Sequence, residues 1–153
     1  MRKVLLPLLA SLAVASPALA NEARVEARGG VIWGQGDSEA VAGIAAGYDF
    51  DLGSNAFAGV EVSGDKVLES NTRVAFGFTG RAGAKISDAG KLYATGGYTT
   101  KFARFGDDSL HLGAGYQHAF GDKFYGKVEY RHYFFDHGVA DPDAVVAGLG
   151  VRF

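Results

Sequence analysis

The chain has 153 residues, 48% of them hydrophobic, with a formal net charge of −2 at neutral pH. That length accommodates one domain, and no basic cluster is available to meet a nucleic-acid backbone. There is no cysteine, which excludes a disulfide framework and a thiolate metal centre.

The first 20 residues read as a cleavable export leader. Arg2 and Lys3 give a basic start, 4–14 an apolar stretch, and 16–20 a cleavage site of mostly small residues. The apolar stretch is too short to cross a membrane as a helix, and no later segment resembles one. The expected organisation is a signal peptide over 1–20 and one folded unit over 21–153, acidic once Arg2 and Lys3 are removed.

From there period-2 alternation dominates, with no sustained helical period. It predicts eight strands, at 24–33, 40–50, 56–63, 73–86, 92–102, 110–120, 124–134 and 144–153. Three connections, 51–55, 87–91 and 121–123, are tight and rich in turn-forming Gly, Asp, Asn and Ser. The other four, 34–39, 64–72, 103–109 and 135–143, are polar and mostly longer. Pro142 is the one proline after the leader, as a mostly hydrogen-bonded sheet requires.

The alternation carries chemistry. One face of the fourth strand reads Val74, Phe76, Phe78, Gly80, Ala82, Ala84, Ile86, and the same face of all eight strands lacks Lys, Arg, Asp and Glu. The strand charges fall on the opposite face, where basic residues outnumber acidic ones. A soluble sandwich would bury the apolar face and expose the charges with the same periodicity. Glycine decides between the two. Gly43, Gly47, Gly59, Gly77, Gly83, Gly97, Gly113, Gly115, Gly148 and Gly150 all share the charged face. A solvated face is only weakened by glycine, whereas a narrow lumen needs small residues opposite large ones. Tyr48, Phe50, Phe120 and Phe124 flank the tight turns like an interfacial aromatic girdle. A bilayer forbids open sheet edges, so the sheet must close. The prediction is an all-β, eight-stranded antiparallel up-and-down transmembrane barrel with apolar residues outside.

The stretch from Gly113 to Tyr133, GAGYQHAFGDKFYGKVEYRHY, and the ending AGLGVRF carry a likeness. They resemble the small outer-membrane β-barrel superfamily of opacity-type porins and the outer-membrane protein A transmembrane domain. The resemblance implies a Gram-negative outer-membrane location and contact with outer-membrane lipids and lipopolysaccharide. It also implies that Leu149, Val151 and Phe153 form the signal read by the barrel-assembly machinery. The chain departs from adhesins of that group in its short loops.

The inward charges Arg24, Glu26, Arg28, Glu61, Arg81, Lys101, Lys127, Glu129 and Arg131 are expected to form a paired plug, because lone charge away from water is costly. The alternative is a narrow pore, anion-preferring from its basic excess. A lipid-modifying enzyme needs a serine nucleophile beside an oriented histidine. Ser63 and Ser109 are the inward strand-end serines, and neither sits in a recognisable motif near His111, His118, His132 or His137. Asp107, Asp108, Asp136, Asp141 and Asp143 are too irregularly spaced for a calcium loop. The acidic loops could also meet a surface partner. No enzyme activity, cofactor or metal is expected, and the anticipated role is in envelope integrity or surface interaction.

Overall fold

A computed structural model describes residues 21–34, 36–101, 108–135 and 141–153; the expected leader lies outside the described residues. Eight strands follow in order: β1 Glu22–Gly34, β2 Asp37–Asp51, β3 Ala56–Val67, β4 Ala75–Lys85, β5 Gly90–Thr99, β6 Ser109–Phe120, β7 Phe124–Phe135 and β8 Asp143–Arg152. Each pairs antiparallel with its neighbours in sequence, and β8 returns to β1 to close the barrel. Backbone bonds between Ala23 and Phe153 extend that seam in both directions.

The register sets the barrel's shape. Partners followed once around run Ala23, Tyr48, Val60, Gly80, Gly96, Leu112, His132, Asp143 and back to β1 at Trp33, ten residues above the start. With a rise of ~3.3 Å per residue and ~4.8 Å between strands, that stagger tilts the strands by about 40°. The lumen of such a barrel is just wide enough for side chains to fill.

Glycines make the turns. Gly53 and Gly121 have φ of 94° and 71° in two of the tight connections, values that L side chains with a Cβ resist. The β1–β2 connection is tighter than the expected 34–39: only residues 35 and 36 separate the strands, and Gly36 has φ 96°. The two hairpin ends around β3 and β4 also differ from expectation. β3 runs on to Val67, four residues past its expected end, because Asp65 pairs in register with Gly43 and finds Arg28 inside. A Gly-Asp-Lys sequence looks like a loop until a buried cation neutralises its aspartate. β5 likewise starts at Gly90, taking Lys91 out of the expected turn and into the lumen.

The burial pattern decides which face is which. Ile44, Phe78, Val128 and Leu149 are 68%, 57%, 55% and 70% exposed, while Arg24, Glu129 and Arg131 are 1–2% exposed. A water-soluble fold would reverse both sets. The two charged side chains that do lie on the outward face of a described strand, Lys66 and Asp143, sit at the long-loop ends of β3 and β8. Asp143 is partnered there: it accepts hydrogen bonds from the Tyr130 hydroxyl and, at 2.7 Å, from His132 Nδ1 when that nitrogen carries the proton.

Candidate functional site

The interior is the one place where the described chain concentrates chemistry, and strand alternation explains why. An outer face reserved for apolar groups pushes every polar group of the same strands inward, where little water is available to solvate it. The charges must therefore solvate one another.

At the centre stands Glu61 on β3. Its Oε2 lies 2.6 Å from Arg24 Nη1 and 3.1 Å from Lys127 Nζ, and its Oε1 lies 2.8 Å from Arg28 Nη1 and 3.3 Å from Arg131 Nη2. One carboxylate thus serves four cations from two strands across the barrel. Glu26 takes a second share of Lys127 at 2.7 Å and accepts the Tyr125 hydroxyl at 2.7 Å. Glu129 is bound by Arg131 and accepts the Tyr93 hydroxyl at 3.0 Å.

Below this centre, toward the short turns, Arg81 donates from Nε to Asp49 Oδ1 at 2.8 Å and from Nη1 to Gln117 at 3.0 Å. Its guanidinium faces the rings of Tyr93 and Phe57, 4.8 and 5.3 Å from their centroids. Such stacking suits a flat, weakly hydrated cation. The mouth at that end is lined by Lys85 with Asp51 at 2.6 Å, and by Glu22 shared between Lys91 and Arg152 at 2.9 Å each. Above the centre, Arg28 Nε donates to Asp65 at 2.7 Å, and His111 sits between the Thr79 and Thr99 hydroxyls, 3.1 Å from each. A cluster of Tyr133, Ala144 and Val146, backed by Ile32, Val41 and Phe135, lies toward the long-loop end.

The inward glycines provide the room. A Cβ on Gly47 would lie 2.5 Å from Arg24 Nη2, one on Gly59 2.3 Å from Asp49 Oδ1, and one on Gly115 2.6 Å from the Tyr93 ring. These residues are small because the neighbouring strand presents a large side chain at the same level.

Eight of the nine charged residues expected in the lumen are brought together: Arg24, Glu26, Arg28, Glu61, Arg81, Lys127, Glu129 and Arg131. Lys101 is not. β5 ends at Thr99, so Lys101 is an exposed residue beyond the strand, and its backbone N–H donates to Asp108 at 3.0 Å. The Tyr98 hydroxyl, and after it that backbone bond, hold the Asp108 carboxyl below the usual carboxylate range. Arg73 is also exposed, outside β4. Sequence reasoning missed Asp65 and Lys91 because both follow glycine in turn-like stretches. Glu22 and Asp51 lie just outside the expected strands 24–33 and 40–50, and the longer β1 and β2 bring both inside.

With those changes the inward charges held in ion pairs are Arg24, Arg28, Arg81, Lys85, Lys91, Lys127, Arg131 and Arg152 against Glu22, Glu26, Asp49, Asp51, Glu61, Asp65 and Glu129. The basic excess expected from the sequence has nearly vanished, and with it the reason for an anion preference.

Ser63 and Ser109 are both buried inward, and Ser63 donates to Asp65 at 2.9 Å. His118 and His132 lie on outward positions, and His137 lies outside the described residues, as do Asp107 and Asp136. Among the described residues no three His, Asp or Glu side chains are grouped to hold a metal ion.

Comparison with known proteins places this geometry. The family model described as "Outer membrane protein beta-barrel domain" matches residues 6–153. The N-terminal β-barrel domain of Pseudomonas aeruginosa OprF superposes with a TM-score of 0.66 at 14% identity, covering 88% of this chain and 99% of that one. Ail, the attachment invasion locus protein of Yersinia pestis, solved with the heparin analogue sucrose octasulfate, gives 0.56 at 16% identity, covering 87% and 97%. Neisserial surface protein A gives 0.55 at 13% identity, covering 86% and 95%. At these identities the likeness is one of fold. No curated protein matches the sequence.

Proposed function

The chain belongs to the outer-membrane β-barrel family and resides in the outer membrane, and from that premise we propose a structural role without enzymatic chemistry. The barrel is plugged, contributes to envelope integrity, and leaves its long-loop end free for surface contact. In the usual arrangement of such barrels the short turns are periplasmic and the longer loops extracellular. Lipopolysaccharide and phospholipid surround the apolar band. The alternating residues Leu149, Val151 and Phe153 of the closing strand serve as the signal for the assembly machinery, and residues 1–20 as the leader that delivers the chain to it.

The observation that carries this reading is the sharing of Glu61 by Arg24, Arg28, Lys127 and Arg131, with all five side chains at most 2% exposed. Charges so enclosed hold each other in place, and moving one cation out of the lumen leaves its partner buried and unpaired. Purified protein in planar bilayers is expected to give no reproducible conductance steps. Regular steps of uniform size would replace this reading with that of a small-solute pore.

A further inference from the structure

The outward face is not uniformly covered by large side chains. A groove of about 710 Å³ runs across it from β6 over β7 and β8 to β1, within the ~300–1,000 Å³ range of clefts that hold ligands. Its course follows the register: His118 pairs with Gly126, Gly126 with Leu149 and Leu149 with Ala27, and Gly29 lies two residues further along β1. Three strand spacings at the barrel's tilt plus two residues of β1 raise the groove by about 15 Å along the barrel axis. That is half of a ~30 Å hydrocarbon core, or one leaflet.

The two ends differ chemically. Toward β1 the lining is apolar, with the small residues Ala147, Ala27 and Gly29 beside the exposed side chain of Leu149. The low end, beside the short turns, carries a ladder of Tyr116, His118 and Phe120 along β6, with the His118 and Phe120 rings 5.2 Å apart. His118 Nδ1 lies 3.0 Å from the Tyr116 hydroxyl. When that hydroxyl donates to Nδ1, the imidazole hydrogen resides on Nε2 and is available to an acceptor outside the barrel.

We propose that this groove holds one glycerophospholipid of the periplasmic leaflet. An acyl chain lies along Ala147, Ala27 and Gly29, and the lipid phosphate accepts from His118 Nε2. The groove's continuity with the lipid-facing band, its one-leaflet length and a hydrogen-bond donor at the interfacial end together select this occupant. A lipid of the outer leaflet would bring its headgroup to the opposite end, where the outward residues Ala27 and Gly29 offer no side-chain donor, and a second barrel would not need the donor. The inference rests on the membrane placement alone and is independent of whether the lumen conducts.

The test is native mass spectrometry of the protein extracted in mild detergent from its own membrane, and of protein refolded in phosphatidylethanolamine–phosphatidylglycerol vesicles. Wild type and an Ala82→Phe control, which adds the same bulk outward on β4, are expected to retain one phospholipid mass per barrel. Ala147→Phe, which fills the groove between β7 and β1, and His118→Ala, which removes the donor, should each lower the retained fraction at least tenfold. All four should stay heat-modifiable on gels; if Ala147→Phe fails to fold, His118→Ala decides. No retained phospholipid on wild type, equal retention in His118→Ala, or a retained outer-leaflet glycolipid instead would overturn the proposal.

Discussion

Replacing Glu61 with alanine is expected to destabilise the folded barrel by about 3–5 kcal/mol, the range for breaking a buried charge network from one side. The size follows from how many partners lose their counter-charge at once. Arg24, Arg28, Lys127 and Arg131 all reach this carboxylate, and the side chain of each is at most 2% exposed. Glu26, Asp49, Asp65 and Glu129 absorb part of the loss, since each already touches one or more of the four cations. Lys101→Ala is the internal comparison. Its side chain is exposed and outside the network, so its effect should stay within about 0.5 kcal/mol, as for ordinary surface changes. Both can be read from denaturant titrations in lipid vesicles, with Trp33, the chain's one tryptophan, as the fluorescent reporter. Equal effects of the two substitutions would mean that the enclosed ion pairs do not hold the barrel.

An arginine on the outer face probes the opposite surface. Val128→Arg puts a guanidinium at an outward position of β7 that is 55% exposed to the surroundings of the barrel. Its level is close to the middle of the band between the aromatic turn residues and the His132–Asp143 pair. An arginine at the bilayer midplane costs about 2–4 kcal/mol in a barrel of this type, falling to about 0–1 near the interfaces. Leu110→Arg lies near the long-loop end of β6 and should fall in that lower range. The graded difference matters more than either value. A water-bathed surface would tolerate both equally, and a packed protein core would penalise both.

Much of this architecture could be read from the chain itself. All eight strands are legible because a bilayer outside and a side-chain-filled lumen inside enforce strict alternation, so Phe76, Phe78 and Gly80 announce one face and Thr79 and Arg81 the other. Gly47, Gly59 and Gly115 announce a narrow lumen, since no solvated face has reason to leave that room. The strand ends were harder to place. Asp65 and Lys91 look like turn residues because their local sequence is that of turns, and only ion pairs to Arg28 and Glu22, distant in sequence, draw them inside. The same limit misplaced Lys101: parity continued past Thr99 assigns it to the lumen, while the structure lets the chain leave the ladder two residues earlier. Alternation reports which way a side chain points, and long-range pairing decides where a strand stops. The partner choices at Glu61 belong to the second kind, because they depend on a ten-residue stagger that no single strand encodes.

The arrangement of the two faces is most directly tested by single-cysteine spin labelling, which the absence of native cysteine makes clean. Labels at Phe78, Val128 and Leu149 in lipid vesicles should be relaxed strongly by membrane-soluble oxygen and weakly by a water-soluble nickel chelate. Labels at Thr79, Thr95 and Gln117, each at most 5% exposed, should be shielded from both. If the second set meets the nickel reagent freely while the first is screened from oxygen, hydrocarbon does not lie against the uncharged side of this sheet.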